Sequence, residues 1–152
     1  MKKLLMLVLT AAVLCTAACK EKEDKTAVAA QPEKKVETRL MGNASVYEGT
    51  LPCADCEGIK TKLTLTYYLN GDYEYTKEET YLGKNSKPFV TTSAWSENLL
   101  MGRVTLYNAS GTDSEYWQRK GKDTLVKLDM KGNPIKSNLN YSLKQTAKLQ
   151  GL

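Results

Sequence analysis

Histidine is absent from this sequence of 152 residues, and phenylalanine occurs once. Without an imidazole, the chain cannot form a Ser-His-Asp or Cys-His catalytic site, and it lacks the commonest side-chain metal ligand. Its 22 basic and 17 acidic residues are interspersed, so no basic patch indicates nucleic-acid binding. No apolar run reaches the roughly 20 residues that a membrane-spanning helix needs. These absences direct attention to the amino terminus and to the cysteines.

The amino terminus has the features of a secretory signal. A basic start and an apolar stretch make up residues 2–14, small residues follow at 16–18, and Cys19 comes next. This order is similar to the lipobox of bacterial lipoproteins, whereas Cys15 fits poorly because a bulky leucine precedes it. We therefore predict a lipoprotein signal peptide at residues 1–18 and a lipid on Cys19.

A lipid on Cys19 predicts a protein that is anchored to a membrane, since two or more acyl chains hold a protein stably. Residues 20–39 are rich in charge and contain no aromatic side chain, so we expect a flexible tether at 19–40. The charged residues 20–24 are similar to a surface-export signal, and they are equally typical of a solvated linker. Lys20 favours transfer to the outer membrane, with the domain facing the periplasm or the cell surface.

From about residue 46 the hydrophobic pattern has a period of two. Residues 59–69 place mostly apolar side chains on one face and Lys and Thr on the other, which predicts a strand that is buried on one side. Turn signals such as 70–72 separate further extended segments. We therefore predict an all-β domain at 41–152, an antiparallel up-and-down β-barrel of seven or eight strands. The later strands are predicted at 73–77, 89–95, 103–107, 114–119, 124–128 and 135–143.

Loss of the signal peptide and lipidation of Cys19 leave one cysteine pair in the mature protein, Cys53 and Cys56. Outside the cytosol such a CxxC pair can form a disulfide that staples a turn, bind Cu(I) through two thiolates, or exchange disulfides. Exchange normally places the pair at the start of a helix, whereas Gly58 and a strand follow here. The disulfide and the Cu(I) site both remain open.

Four carboxylates could in principle form an acid–base pair, namely Asp55, Glu57, Glu78 and Glu79. Because Glu78 and Glu79 are neighbours in a predicted strand, they point to opposite faces, and we expect solvated surface for the group. The nine tyrosines either line a ligand-binding calyx or pack in the core. Neither group predicts an enzyme.

Residues 48–65, which read EGTLPCADCEGIKTKLTL, resemble the signature of the NlpE family of copper-resistance and envelope-stress lipoproteins. Further similarities occur at Trp95 and at 132–135, and the resemblance extends in order over residues 46–144. It implies a small lipocalin-like barrel on an outer-membrane lipid anchor. It also implies a non-enzymatic role in copper tolerance or stress sensing, a sensor kinase as partner, and Cys53 and Cys56 as a metal or redox site.

Well-known members of that family carry a second β-domain with its own cysteine pair, and the resemblance here is to the N-terminal domain alone. Two other functions are compatible with the residues. The first is a lipocalin-like carrier of a small apolar ligand. The second, less favoured because of the missing helix, is a thiol–disulfide oxidoreductase.

Replacing Cys19 by alanine should abolish lipid labelling and release the protein from membranes, because no other cysteine follows a run of small residues. Metabolic labelling with a fatty acid and membrane fractionation measure the two effects. A Cys19→Ala protein that stays labelled and membrane-bound would show that the anchor is elsewhere.

Overall fold

The computed structural model describes residues 41–84, 87–111 and 113–151, so the predictions for residues 1–40 lie outside it. Eight antiparallel strands follow one another around a closed barrel, which confirms the predicted fold class. The described part of the chain contains no helix that could serve as a membrane span. The strands are β1 (Met41–Leu51), β2 (Gly58–Tyr68), β3 (Tyr73–Leu82), β4 (Phe89–Asn98), β5 (Arg103–Tyr107), β6 (Ser114–Lys120), β7 (Thr124–Lys127) and β8 (Ser142–Gln150).

Strand β2 shows why this sequence forms a barrel wall. Leu63 and Leu65 are buried in the interior, whereas Lys60 and Lys62 face solvent, as the period of two predicts. Lys62 pairs with Glu78 of β3 on the outer surface, at 3.3 Å between Nζ and Oε1. Each strand of this kind has one face that must be covered, and closure of the sheet covers it.

The turn after β2 follows the chemistry of its residues. Gly71 has a φ of 92°, which a side chain would disfavour, and its amide donates to the carbonyl of Tyr68 at 3.0 Å. The Asn70 side chain accepts a hydrogen bond from the Asp72 amide at 3.1 Å. This confirms the predicted turn at 70–72, which directs β3 back alongside β2.

The middle of the barrel is filled with side chains. Trp117 and Tyr47 are its largest fully buried members, and they pack among leucines and valine contributed by most of the strands. Of the nine tyrosines, Tyr47 and Tyr75 belong to this core. The cluster consists of Tyr47, Leu51, Leu63, Leu65, Tyr75, Trp95, Val104, Leu106, Trp117, Leu125 and Leu143.

The connections alternate between the two ends of the barrel because all neighbouring strands are sequential and antiparallel. The Met41 end contains the start of β1 and the β2–β3, β4–β5 and β6–β7 turns. At the opposite cysteine end lie the β1–β2, β3–β4, β5–β6 and β7–β8 connections. Inside the Met41 end, Arg119 pairs with Glu97 at 2.7 Å and donates to the Tyr47 hydroxyl at 2.6 Å.

The prediction of the last strand at 135–143 is wrong, because the strand lies later in the chain. β8 begins at Ser142, and the apolar alternation before it is not buried, since Leu139 is 62% exposed. The preceding connection is built on Asp129, whose carboxylate accepts hydrogen bonds from the Lys131 and Asn133 amides at 2.9 and 2.7 Å. The position of β8 follows from closure, because one strand has to pair with both β7 and β1.

Replacing Leu65 by alanine should lower the free energy of unfolding by about 2–5 kcal/mol, because the side chain is enclosed in the core. Lys62→Ala on the same strand should change it by less than about 0.5 kcal/mol, because its ion pair is exposed. Urea unfolding of both variants measures the difference. Equal shifts would show that the inner and outer faces of β2 are wrongly assigned.

Candidate functional site

The cysteine pair lies in the β1–β2 connection, where residues 52–57 form what we call the cysteine loop. The Glu57 amide donates to the carbonyl of Leu82 at 3.3 Å, which holds the loop against the end of β3. The chain then turns into β2 at Gly58, which has a φ of 153°. A Cβ at Gly58 would lie 2.6 Å from Thr50 Cγ2, so a side chain cannot be accommodated there without a shift.

Cys53 and Cys56 are joined by a disulfide, with their Cα atoms 5.3 Å apart. Cys53 Sγ lies 3.5 Å from Asp55 Oδ1, and Cys56 Sγ lies 3.3 Å from the carbonyl oxygen of Gly58. An oxidised sulfur has no proton to donate, so these are contacts only. In a reduced pair, each thiol would have an acceptor beside it. The loop therefore offers a hydrogen-bond acceptor to each thiol of the reduced state.

An ion pair connects the cysteine loop to the β3–β4 connection. Lys84 Nζ lies 2.6 Å from Asp55 Oδ2, and the hydrogen bond and charge of Lys84 lower the pKa of Asp55. Both side chains are exposed, so the pair contributes little to stability. The ion pair instead fixes the positions of a carboxylate and an ammonium group next to the cysteines.

The donor atoms of the cysteine loop fit one class of metal better than others. One ligand atom each from Cys53, Asp55 and Cys56 lies within 4.8 Å of the other two. Zinc normally takes four ligands, whereas soft Cu(I) selects thiolates. Met41 and Met101 lie at the opposite end of the barrel, and Met130, which lies at the cysteine end, lines the cavity beside Lys127. The residues therefore fit Cu(I) once the pair is reduced, and Cys53 and Cys56 as its ligands stay a prediction.

A line of charged side chains runs inside the barrel near the cysteine end. Lys77 is 6% exposed and pairs with Glu79, at 3.2 Å from Nζ to Oε2, and with Glu115. Glu115 pairs in turn with Lys127 at 3.4 Å. The Lys127 ammonium lies 5.6 Å from the centre of the Trp117 ring, within cation–π distance. We call the four alternating charges Glu79, Lys77, Glu115 and Lys127 the ion chain.

Pairing keeps the ion chain charged despite its burial. Burial alone would lower the pKa of Lys77, but the charges and hydrogen bonds of Glu115 and Glu79 raise it above the usual value. Burial would likewise raise the pKa of Glu115, but the charges of Lys127 and Lys77 lower it. Each inner member of the ion chain has two partners of opposite charge, which offsets the cost of removing it from water.

Sequence reasoning missed the ion chain, and it placed Glu79 wrongly. Glu78 does lie on the solvated surface, but the Glu79 side chain is only 13% exposed and pairs with Lys77 inside. The alternation along β3 indicates this position, because Lys77 and Glu79 lie on the same face of the strand as the core residue Tyr75. Their partner Glu115 is 38 residues from Lys77, and the local sequence gives no sign of it.

The ion chain lines a cavity of about 440 Å³ that opens at the cysteine end. This volume lies in the range of roughly 300–1,000 Å³ that is usual for small-molecule sites. Apolar side chains form much of the remaining wall, including Leu106 and Leu128 as well as the exposed Phe89 and Met130. Such a wall suits an amphiphilic molecule whose acidic group would meet Lys127.

The family model of the NlpE N-terminal domain matches residues 47–138, a segment that contains the cysteine loop and the ion chain. This chain belongs to the NlpE family. It is 39% identical over 99 residues to the lipoprotein NlpE of Escherichia coli strain K12, an alignment covering 64% of this chain and 39% of that protein. The predicted family is thereby confirmed.

Two crystal structures are similar to the NlpE-type barrel described here. The Cpx pathway activator NlpE from E. coli matches with a TM-score of 0.50 and 34% identity, over 64% of this chain and 48% of that chain. A Shewanella oneidensis chain assigned as a lipoprotein matches with a TM-score of 0.49 and 35% identity, over 67% and 87%. This chain thus spans less than half the length of the E. coli protein.

Replacing Glu115 by glutamine should lower the free energy of unfolding by about 1–2 kcal/mol at pH 7, because Lys77 and Lys127 lose their shared carboxylate. The pKa of Glu115 lies below its usual 4.5. Its stabilising effect is therefore complete above that value and is lost as the pH falls through the lowered pKa. Urea unfolding of wild type and variant should converge in acid.

The matched control for this experiment is Glu78→Gln, which removes the neighbouring exposed carboxylate that faces Lys62. It should change the free energy of unfolding by less than about 0.5 kcal/mol at pH 7. A Glu115→Gln effect that equals the control, or that stays constant as the pH falls, would contradict the role given to the ion chain.

Proposed function

We propose that this chain is a lipid-anchored protein of the cell envelope, with a signal peptide at residues 1–18, a lipid on Cys19, a tether at 19–40 and the barrel domain at 41–152. The E. coli relative is named a lipoprotein, and its crystal structure is described as that of a Cpx pathway activator. We place the anchor in the outer membrane, with the domain in the periplasm or at the cell surface. In this proposal the protein is a non-enzymatic stress-response module whose partner is an envelope sensor kinase.

The observation that carries the proposed function is the position of the Cys53–Cys56 pair. It lies half-buried in a loop at the end of the barrel, beside an ion pair that reaches the next connection. Two electrons and two protons from a dithiol reductant would convert the disulfide into two thiols, while the reductant becomes a disulfide. The change would alter the surface at the cysteine end and leave the core intact.

Copper would act on the reduced state of this pair. Two thiols that bind one Cu(I) ion release two protons and form a dithiolate complex with one net negative charge. That charge would lie next to Asp55 and compete with it for the Lys84 ammonium, which is now 2.6 Å from the Asp55 carboxylate. Copper binding would thus change the contact between the cysteine loop and the β3–β4 connection, the surface that a partner would recognise.

The cavity at the cysteine end supports a second candidate function, a carrier of a small amphiphile. Its volume and its apolar wall are suited to such a ligand, and Lys127, which pairs with Glu115, is the more exposed of the two lysines that line it. This function needs the ion chain and the cavity, whereas the copper site needs only the cysteine loop. Native mass spectrometry of the purified protein, with and without Lys127→Met, would distinguish the two.

The reduced protein should bind one Cu(I) ion, and Cys53→Ser, Cys56→Ser and the oxidised form should each bind it more than about tenfold more weakly, since both thiolates are required. Affinity should rise with pH until both thiols are ionised, because binding releases their protons. Competition against a chromophoric Cu(I) chelator under anaerobic conditions measures all four forms.

Asp55→Asn provides the control, because the carboxylate is an exposed neighbour of the thiolates and not a ligand that a soft ion prefers. Its Cu(I) affinity should stay within a few-fold of the reduced wild type. If the oxidised form or either serine variant binds Cu(I) as tightly as the reduced protein, the dithiolate site is wrong and the pair is a turn-stapling disulfide.

A further inference from the structure

The β4–β5 turn is apolar, although turns of this kind usually contain Gly, Asn, Asp or Ser. Leu99 is 82% exposed, Leu100 is 100% exposed and Met101 is 59% exposed. The other two turns at the Met41 end, at 70–72 and 121–123, have the usual polar composition. We call residues 99–101 the apolar tip. Three consecutive exposed apolar side chains indicate a surface that something else covers.

The backbone beneath the apolar tip is well supported. The Met101 amide donates to Asn98 Oδ1 at 3.0 Å, and Gln118 Nε2 donates to the Met101 carbonyl at 2.7 Å. The Arg119 amide donates to the Gly102 carbonyl at 2.7 Å. Because polar groups hold the turn in place, its apolar side chains project outward from a fixed frame. Their exposure is therefore a property of the folded domain.

The apolar tip lies at the end of the barrel where the chain enters. Residues 1–40 precede Met41, and β1 starts at the same end as the β4–β5 turn. A tether of about 22 residues between Cys19 and Met41 would span roughly 26 Å on average if it is unstructured. The tether therefore joins the domain at the same end as the apolar tip, and its length would allow both the tip and a lipid on Cys19 to reach one bilayer.

Basic residues accompany the apolar tip at the Met41 end. Lys120 and Lys122 are exposed in and beside the β6–β7 turn, which also contains the exposed Asp123, and Leu69 and Leu149 add further exposed apolar side chains at this end. Apolar side chains flanked by lysines are typical of interfacial membrane binding. The apolar groups enter the boundary between headgroups and acyl chains, while the lysines meet anionic headgroups.

We propose that the apolar tip inserts into the membrane that carries the lipid anchor. The inference rests on the proposed lipid at Cys19, and it adds an orientation that the anchor alone does not define. With Leu100 in the headgroup region, the Met41 end faces the bilayer. The cysteine loop and the cavity then point away from the membrane, where a soluble partner domain or a diffusing ion reaches them.

The test uses the full-length lipidated protein on vesicles of phosphatidylethanolamine and phosphatidylglycerol. A nitroxide is attached to Leu100→Cys or, as a matched control, to Met130→Cys, in a Cys53→Ser/Cys56→Ser background. Met130 suits this purpose because it is also apolar and exposed, at 82%, but lies at the cysteine end. Collision rates with oxygen, which partitions into lipid, and with a water-soluble nickel chelate report the depth of each label.

The ratio of oxygen to nickel collisions should be several-fold higher at position 100 than at position 130, because only the former label enters lipid. Adding Leu99→Asp and Met101→Asp to the chain labelled at position 100 should return that ratio to the value of the control. Flotation of the vesicles shows independently that each protein is bound to them, and flotation of the Leu99→Asp/Met101→Asp variant shows that the lipid is sufficient for binding.

Three results would overturn the inference. Equal ratios at the two positions on a floating protein would reject insertion and leave the lipid anchor intact. A protein that does not float would reject both the anchor and the insertion that rests on it. A label at position 100 that is shielded from both collision partners would show that a protein surface, such as a second copy of the chain, covers the apolar tip.

Discussion

The hydrogen bonds between β1 and β8 join the first strand of the barrel to the last, and they bring together residues as far apart in the chain as Asn43 and Gln150. Without this pairing both strands would be open edges, with unpaired amide and carbonyl groups. Closure also decides which face of every strand is covered. The positions of the core, the ion chain and the two ends of the barrel all follow from it.

Charged groups occupy the interior on either side of the apolar core. At the Met41 end, Arg119 meets Glu97 in a paired contact that also engages Tyr47. At the cysteine end the ion chain draws on β3, β6 and β7, so its members meet only after the barrel is closed. Buried charges are costly unless they are paired. The interior therefore tolerates these charges because the strand order places opposite signs side by side.

The cysteine end combines the two features that could react or bind a ligand, which are the cysteine loop and the cavity. The cysteine loop lies on its surface, held to β3 by the Glu57 amide and by the ion pair of Asp55 with Lys84. The cavity lies inside, lined by the ion chain. The β3 strand connects them, because Lys77 and Glu79 precede the same connection that Lys84 begins. The Met41 end lacks the cysteine pair and presents the three consecutive exposed side chains of the apolar tip.

Much of this protein could be predicted from local patterns of sequence. The period of two in β2 and the turn at 70–72 are decided by neighbouring residues, and they were sufficient for the all-β barrel. The family was also recognisable, because residues 48–65 form a contiguous signature around Cys53 and Cys56. Such features depend on interactions between residues that are close in the chain, and a sequence displays those directly.

The tertiary structure alone decided the rest. β8 lies at Ser142–Gln150, after the apolar residues at 135–141, because its place is set by pairing with β1 and β7 rather than by its own pattern. Glu79 is inside because Lys77 compensates its charge, and Lys77 in turn pairs across the barrel with Glu115 of β6. The sequence by itself determined most of the strands and turns and the cysteine pair. Closure of the barrel determined the last strand, the ion chain and the cavity, because each depends on residues that only the folded chain brings together.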